Sequence, residues 1–138
     1  MKRAQVFETI AVADKELICS LAGEVSKDSN IRVLREQIGM IMARARDSVE
    51  GIPFNLGEVL VTEAEVSVNG TLGYSMILGM DQDHARAGAI LDAAEEAGHI
   101  LRERIINALS EERQKAEARG CRLWSALKAT KVDFEVMS

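Results

Sequence analysis

The residues of this sequence that could carry chemistry are few, and His84 is the first of them. It ends the run Asp81-Gln82-Asp83-His84, which leads into a helix-forming segment. A helix N-terminus disfavours a cation and would keep the imidazole neutral, whereas the two carboxylates favour the charged ring. Such a group could transfer protons with Asp81 as its neighbour, or share a ligand site with another chain. The competing interpretation is a polar residue that helps to cap the helix.

The other candidates have equally simple structural explanations. Glu63 and Glu65 fall on one face of a predicted strand and could form a carboxylate pair, but edge charges or partners of arginine residues are more common. His99 is typical of a surface or capping residue. Arg44 and Arg46 precede a Gly-Pro loop, where an anion could bind.

No recognised catalytic or phosphate-binding motif completes these candidates. The sequence has no GxxxxGK[ST], GxGxxG, HExxH or GxSxG pattern. Cys19 and Cys121 stand far apart without a CxxC, and two histidines are too few for most metal sites. The residues alone therefore favour a subunit or adaptor over a free-standing enzyme.

The elements that must position these residues change in character along the chain. Five of the ten glycines and the only proline fall between 51 and 79, and the flanks are rich in Ala, Leu, Glu and Arg. This distribution predicts an α+β fold with helices on both sides of a strand-rich middle. We expect helices over about 3–12 and 15–26 with Asp14 as the cap between them, or one longer helix instead. Residues 31–46 are compatible with strand or helix, and composition slightly favours helix.

The clearest local signal is a β-hairpin, in which strands 58–68 and 71–80 flank Asn69-Gly70. Asn-Gly supplies the two positive φ angles of a tight primed turn, which fixes the register. One face of this hairpin carries glycines that leave room for a close helix. The opposite face surrounds two carboxylates with more apolar side chains than a solvated sheet face carries, so it needs a partner or the chain's own terminal helices. The partner-interface candidates on that face are Val61, Leu72, Tyr74, Met76 and Leu78.

The C-terminal half is predicted to be helical before one last strand. Asp81 can cap a helix whose apolar stripe continues to Leu109. A second helix is expected over roughly Glu111–Arg119 and would end at Gly120, and alternation over Thr130–Met137 predicts a final strand. The expected architecture is a single domain over residues 1–138, with an antiparallel sheet of about four to five strands packed with N-terminal and C-terminal helices.

Composition excludes further classes of protein. Seventeen Lys and Arg against 22 Asp and Glu give a net charge of −5, which argues against nonspecific nucleic-acid binding. The apolar runs are too short to cross a bilayer, and the N-terminal segment has no secretory pattern. We therefore expect a cytoplasmic protein that binds neither nucleic acid nor membrane.

The segment PFNLGE, with the following VLVTEAEVSVNGTLGYSMILGMDQDHARAGAILDA, resembles the PhnG family. PhnG is the G subunit of the bacterial carbon–phosphorus (C–P) lyase core complex, which degrades organic phosphonates. Further likeness lies in MARAR near residue 44 and TKVDF near residue 132, so the resemblance spans about residues 31–137. The residues that match the family motifs are Phe54, Asn55, Gly57, Gly73, Gly79, Asp81 and His84.

The resemblance implies strands over residues 31–46 and an accessory role in a complex with H-, I- and J-type subunits and the L-type ATP-binding protein. In that family the I-type subunit, helped by G, H and L, displaces adenine from ATP with a phosphonate and forms α-D-ribose 1-methylphosphonate 5-triphosphate. The iron–sulfur cluster and S-adenosylmethionine belong to the J-type subunit, so no cofactor is implied for this chain. The family assigns no catalytic residue to its G subunit, and His84 and Asp81 stay candidates only.

The sequence departs from the family pattern at Glu63, at Met80 and at Asp47-Ser48-Val49, which stands where the family has Gly-Gly. Glu63 and Met80 stand where the family motifs have arginine, so a contact with a phosphate or an acidic partner would be lost or reversed. Two alternatives to the accessory subunit remain. One is a homo-oligomeric structural protein that closes its apolar face on a second copy, and the other is a stand-alone enzyme that uses His84.

Overall fold

The structure, a computed structural model, describes residues 2–46, 53–118 and 132–137, with side chains described outside 42–46, 53–56 and 132–137. These ranges form four helices and four strands. The elements are α1 (Arg3–Val12), α2 (Lys15–Lys27), β1 (Ile31–Arg46), β2 (Pro53–Val68), β3 (Thr71–Leu78), α3 (Gln82–Ala97), α4 (Arg102–Ala118) and β4 (Val132–Met137). The predicted α+β class is confirmed, and the bounds of α1 and α2 agree with the prediction within one residue.

The four strands form one antiparallel sheet in the order β3-β2-β1-β4. The hairpin has the predicted register, from Val68 opposite Thr71 to Val61 opposite Leu78. Its turn has the two positive φ angles, 51° at Asn69 and 91° at Gly70. β1 is a strand over its whole length because it pairs with β2 throughout, so pairing overrides the slight helical preference of its composition.

The helices pack on one face of this sheet, here called the inner face, and the opposite face is called the outer face. α3 crosses β2 and β3 on the inner face and approaches most closely at Gly73. A Cβ atom at Gly73 would lie 2.2 Å from the Ala89 carbonyl oxygen and 2.6 Å from the Ala93 nitrogen, so only glycine fits there. Gly79 has no such role, since nothing lies within 4 Å of an added Cβ; its φ of +87° serves a turn instead.

The predicted boundary between the last two helices was wrong. The apolar stripe continues from α3 into α4, but α3 ends at Gly98, which adopts the left-handed conformation with φ of 67°. Gly98 caps the helix through bonds from its N–H to the carbonyl oxygens of Ala94 and Glu95. The proposed helix end at Gly120 lies outside the described residues, and the final strand is confirmed as Val132–Met137.

The free edge of β3 is covered by polar side chains from α1 and α3. The buried Asp92 carboxylate accepts the Tyr74 backbone N–H at 3.0 Å and pairs with the Arg3 guanidinium at 2.9 Å. Arg3 also donates to the Leu72 carbonyl oxygen. These bonds satisfy edge groups that could otherwise pair with a foreign strand.

Candidate functional site

The His84 imidazole is buried between α3 and the end of α1, where it closes a helix terminus. Its Nε2 lies 2.8 Å from the Ile10 carbonyl oxygen. A carbonyl only accepts, so Nε2 carries the proton and donates. Ile10 belongs to the last turn of α1, whose carbonyl groups lack partners within the helix. The ring therefore has a structural role of the predicted kind, but it caps the end of α1 and not the start of α3, the helix to which His84 belongs.

The Asp81 carboxylate is likewise committed to local structure. It is the N-cap of α3, where it accepts the His84 backbone N–H at 3.2 Å, and it pairs with Lys15 Nζ at 3.0 Å. Burial opposes ionisation of this carboxyl, but Lys15 and the His84 amide outweigh it and hold the pKa of Asp81 below its usual value. The Asp81 carboxylate therefore contacts the backbone amide of His84 and not its imidazole, which bonds Ile10 instead.

His99 lies in the connection between α3 and α4, where its ring bonds a backbone group, in agreement with the predicted capping role. Its Nδ1 accepts the Leu101 backbone N–H at 3.1 Å, and its Nε2 lies 3.0 Å from Ser29 Oγ. Nδ1 is thus an acceptor, so Nε2 carries the proton of the neutral ring and donates to the hydroxyl. The imidazole joins the α3–α4 connection to the loop that precedes β1.

The two glutamates of β2 form a polar network on the outer face. The buried Glu63 accepts from Tyr74 Oη at 3.0 Å and from Gln37 Nε2 at 2.7 Å. Arg35 Nη2 lies 3.6 Å from Glu63 and 3.9 Å from Glu65. The predicted pairing with arginine is therefore confirmed. Sequence reasoning missed Arg35 and Gln37, because the residues of β1 are compatible with strand or helix until their pairing with β2 is known.

Tyr74 is the side chain of this network whose pKa is clearly shifted. Burial of its phenol, together with the charge of Glu63 and the hydrogen bond to it, raises the pKa of Tyr74 to about 12. The phenol therefore stays protonated and keeps donating to Glu63 throughout the neutral range. Phe7 from α1 meets the Tyr74 ring edge-on at 6.2 Å between centroids, which helps to fix the ring at the sheet edge.

The predicted interface residues on the outer face differ in exposure. Leu72 and Leu78 are 55% and 59% exposed, and Tyr74 and Met76 are partly buried. Val61 lies on the same face, opposite Leu78, but it is buried at 1% exposure and so is not part of an exposed surface. We call the set Leu72, Tyr74, Met76 and Leu78 the outer surface.

A second apolar surface lies on the inner face, beyond the N-terminus of α3. Its members are the exposed side chains of Ile38, Met40, Leu60 and Met80, here called the distal surface. Sequence reasoning missed it, since the hairpin pattern placed Leu60 on the helix-covered face. No residue pattern marked it, because β2 extends beyond the residues that pair with β3 and that extension is visible only in the structure.

The family-motif positions divide into three groups. Gly57 and Gly79 have positive φ, and Gly73 lies under α3. Phe54 and Asn55 belong to β2, opposite the C-terminal part of β1, and only their backbone is described. The side chains of Arg44 and Arg46 lie outside the described ones, so the predicted anion site there is not tested.

Two kinds of site are absent from the described residues. No group of three or more His, Cys, Asp and Glu side chains among them is arranged to hold a metal ion. No helix in the same ranges is long and apolar enough to span a membrane.

The fold and these surfaces define a class of protein: an α+β domain whose candidate catalytic groups are tied to its own backbone and whose sheet leaves apolar side chains bare. The family model described as phosphonate metabolism protein PhnG matches residues 1–138, and the chain belongs to that family.

A curated relative comes from Rhizobium meliloti (strain 1021) and is described as the subunit PhnG of α-D-ribose 1-methylphosphonate 5-triphosphate synthase. It is 37% identical over 109 residues, which cover 73% of this chain. The match spans 65% of the relative's own length, slightly under two thirds.

Proposed function

We propose that this chain is an accessory subunit of the C–P lyase complex in organic phosphonate catabolism. In this role it supports the ATP-dependent formation of α-D-ribose 1-methylphosphonate 5-triphosphate, in which the phosphonate displaces adenine on an I-type subunit. Family membership and the relative's description as a synthase subunit support this proposal. The observation that carries it is the bare outer surface, with Leu72 and Leu78 more than half exposed.

The outer surface has the composition of a docking site. Burying its large apolar side chains would contribute ~1.5–3 kcal/mol for each one fully covered. The Glu63 network at its centre is already satisfied by Tyr74 and Gln37, so a partner can cover that carboxylate without leaving it unpaired. An I-type subunit is the proposed partner on this face, with H- and J-type subunits in the same assembly.

The chain's own contribution is structural under this proposal. ATP is the substrate of the complex, and the iron–sulfur cluster and S-adenosylmethionine are assigned to the J-type subunit. His84 caps α1 and Asp81 caps α3, and these structural roles involve no proton transfer. The protein would act in the cytoplasm.

Co-expression with I-, H- and J-type subunits tests the proposal. Native mass spectrometry should find a stable heteromer that contains this chain. Leu78→Asp should weaken its incorporation about tenfold, because it puts a charge into a buried apolar contact. Ile100→Asp is the matched control, since Ile100 is an equally apolar residue that is 88% exposed beyond the end of α3.

Two results would contradict the proposal. One is a monodisperse, stable monomer that ignores the companion subunits, and the other is a closed homo-oligomer that excludes them. A third variant addresses the enzyme alternative: His84→Asn should leave product formation by the assembled complex intact. Loss of turnover with unchanged assembly would instead favour catalysis by His84.

A further inference from the structure

The distal surface is a compact apolar patch on the inner face of the sheet. Met40 lies directly opposite Leu60 in the β1–β2 pairing, and Ile38 lies two residues along on the same face. The Gly79 N–H donates to the Leu60 carbonyl oxygen at 2.7 Å, which places the following residue, Met80, beside Leu60. Ile38 and Met80 line one open cavity at the start of α3. All four side chains are at least 41% exposed.

A buried threonine fixes the geometry of this patch. Thr62 Oγ1 donates to the Gly79 carbonyl oxygen at 2.7 Å and accepts the Asp81 N–H at 3.0 Å. The turn that carries Met80 is therefore tied to the strand on both sides. The same bonds place the N-terminus of α3 level with Thr62, so the helix cannot cover Leu60 and Met40 further along. The patch is presented by rigid elements, which lowers the entropic cost of binding.

The rim of the distal surface is acidic. Glu58 lies on the same face two residues before Leu60, and Asp83 lines the cavity with Ile38 and Met80. Both carboxylates are exposed. Asp83 feels the charges of Lys15 and Arg86, but each of these cations is in closer contact with another carboxylate, Asp81 or Glu36. Lys15 reaches the same cavity but is paired with Asp81. The described charges around the patch therefore leave an excess of negative charge.

We propose that the distal surface binds a second protein segment, one that presents apolar side chains flanked by Lys or Arg. The charge of the rim selects this occupant, since like charges at an interface exclude wrong partners and opposite charges fix the register. A second copy of this chain is the wrong occupant. A two-fold contact would bring the rim of Glu58 and Asp83 against itself, in a chain with a net charge of −5.

The methionines make this surface adaptable. Met40 and Met80 have flexible, polarisable side chains that fit irregular partner surfaces. The inference rests on the proposed function, because the complex of phosphonate-processing subunits supplies the partner. It assigns to that complex a contact on the face opposite the outer surface, so this chain would lie between two neighbours rather than against one.

The experiment uses mild peroxide oxidation of the free chain and of the complex purified after co-expression with I-, H- and J-type subunits. Met80 is 69% exposed and should oxidise readily in the free chain. Peptide mass spectrometry should find its oxidation slowed at least about tenfold in the complex, as expected for burial at an interface. Met80→Leu, which keeps the apolar character, should preserve incorporation, and Met80→Asp should reduce it by about the same factor.

The charge requirement has its own variants. Asp83→Lys should weaken incorporation several-fold, and the loss should shrink in high salt. Glu103→Lys is the matched control, because Glu103 is an exposed acid in the first turn of α4. Urea unfolding of each free variant verifies that the fold is intact.

The outcomes separate the two proposals. If the heteromer forms but Met80 oxidises as fast as in the free chain, the distal surface is not an interface and only this inference falls. If Met80→Asp and Asp83→Lys assemble like the natural chain, the distal surface is likewise not an interface, and again only this inference falls. If no heteromer forms, the proposed function falls first and this inference falls with it.

Discussion

Two stretches of the inner face lie on the same strand and differ in what covers them. Ala64 and Val66 of β2 are buried under α3, whereas Leu60, on the same face, is 42% exposed. The covered stretch is lined by small residues where the helix is closest, and Gly73 and Ser75 of β3 complete it. The bare stretch carries large, flexible side chains. Small residues thus mark where the chain packs on itself, and large ones mark the region left for a partner.

The largest test of this contrast is a methyl group added under α3. Gly73→Ala should destabilise the fold by about 3 kcal/mol, because its Cβ would collide with the backbone of Ala89 and Ala93 and force the helix away. Gly39→Ala adds the same group to β1 in open space and should change stability by less than about 0.5 kcal/mol. Urea unfolding measures both variants. Equal losses would mean that close packing does not distinguish the two stretches.

A second test truncates one residue from each stretch of β2. Val66→Ala should cost about 2 kcal/mol, since the side chain is fully buried and its loss leaves a cavity. Leu60→Ala should cost under about 1 kcal/mol, although it removes more atoms, because much of Leu60 already faces water. Thermal unfolding of the two variants gives the comparison, and a larger loss at Leu60 would contradict the assignment of that stretch as bare.

A third test turns to the outer face and to the polar network around Glu63 and Tyr74. Tyr74 is the only tyrosine in the chain, so absorbance near 295 nm follows its ionisation alone. Its pKa is raised to about 12, above the unfolded value of 10.0, so its contribution to stability is present below pH 10 and lost as the pH rises through about 12.

Substituting Glu63 tests the cause of the raised Tyr74 pKa. Glu63→Gln should lower the pKa of Tyr74, because it removes the charge that opposes the phenolate. Glu65→Gln, on the same strand, should lower it less, because the charge of Glu65 has a smaller effect on the phenol. Tyr74→Phe should cost about 1 kcal/mol at neutral pH, the typical value for one hydrogen bond. A titration midpoint that ignores Glu63 would contradict the network.

The sequence was a good guide where local chemistry decides the structure. Asn69-Gly70 predicts the hairpin register, and Asp14 and Asp81 are the predicted helix caps, which accept the backbone N–H groups of Glu16 and His84. β1 could be predicted as a strand only from the family resemblance, because a register irregularity between Val33 and Arg35 interrupts the alternation of its side chains.

The rest depended on how the elements meet. The end of α3 at Gly98 was missed because Leu101 and Ile105 continue the apolar stripe beyond it. The burial of Val61 and the exposure of Leu60 depend on which layers reach each end of a 16-residue strand, and no residue pattern contains that length relation. For the same reason, the sheet face that each strand residue occupies could be predicted from the sequence, but what covers that face could not.

The most direct test of the claim that the bare sheet binds partners is hydroxyl-radical footprinting of the free chain and of the purified heteromer. The account predicts protection of Leu72 and Leu78 on the outer surface and of Leu60 and Met80 on the distal surface. Ile100, exposed beyond the sheet, should react equally in both states. Unchanged reactivity at all four sheet positions in an intact heteromer would contradict it.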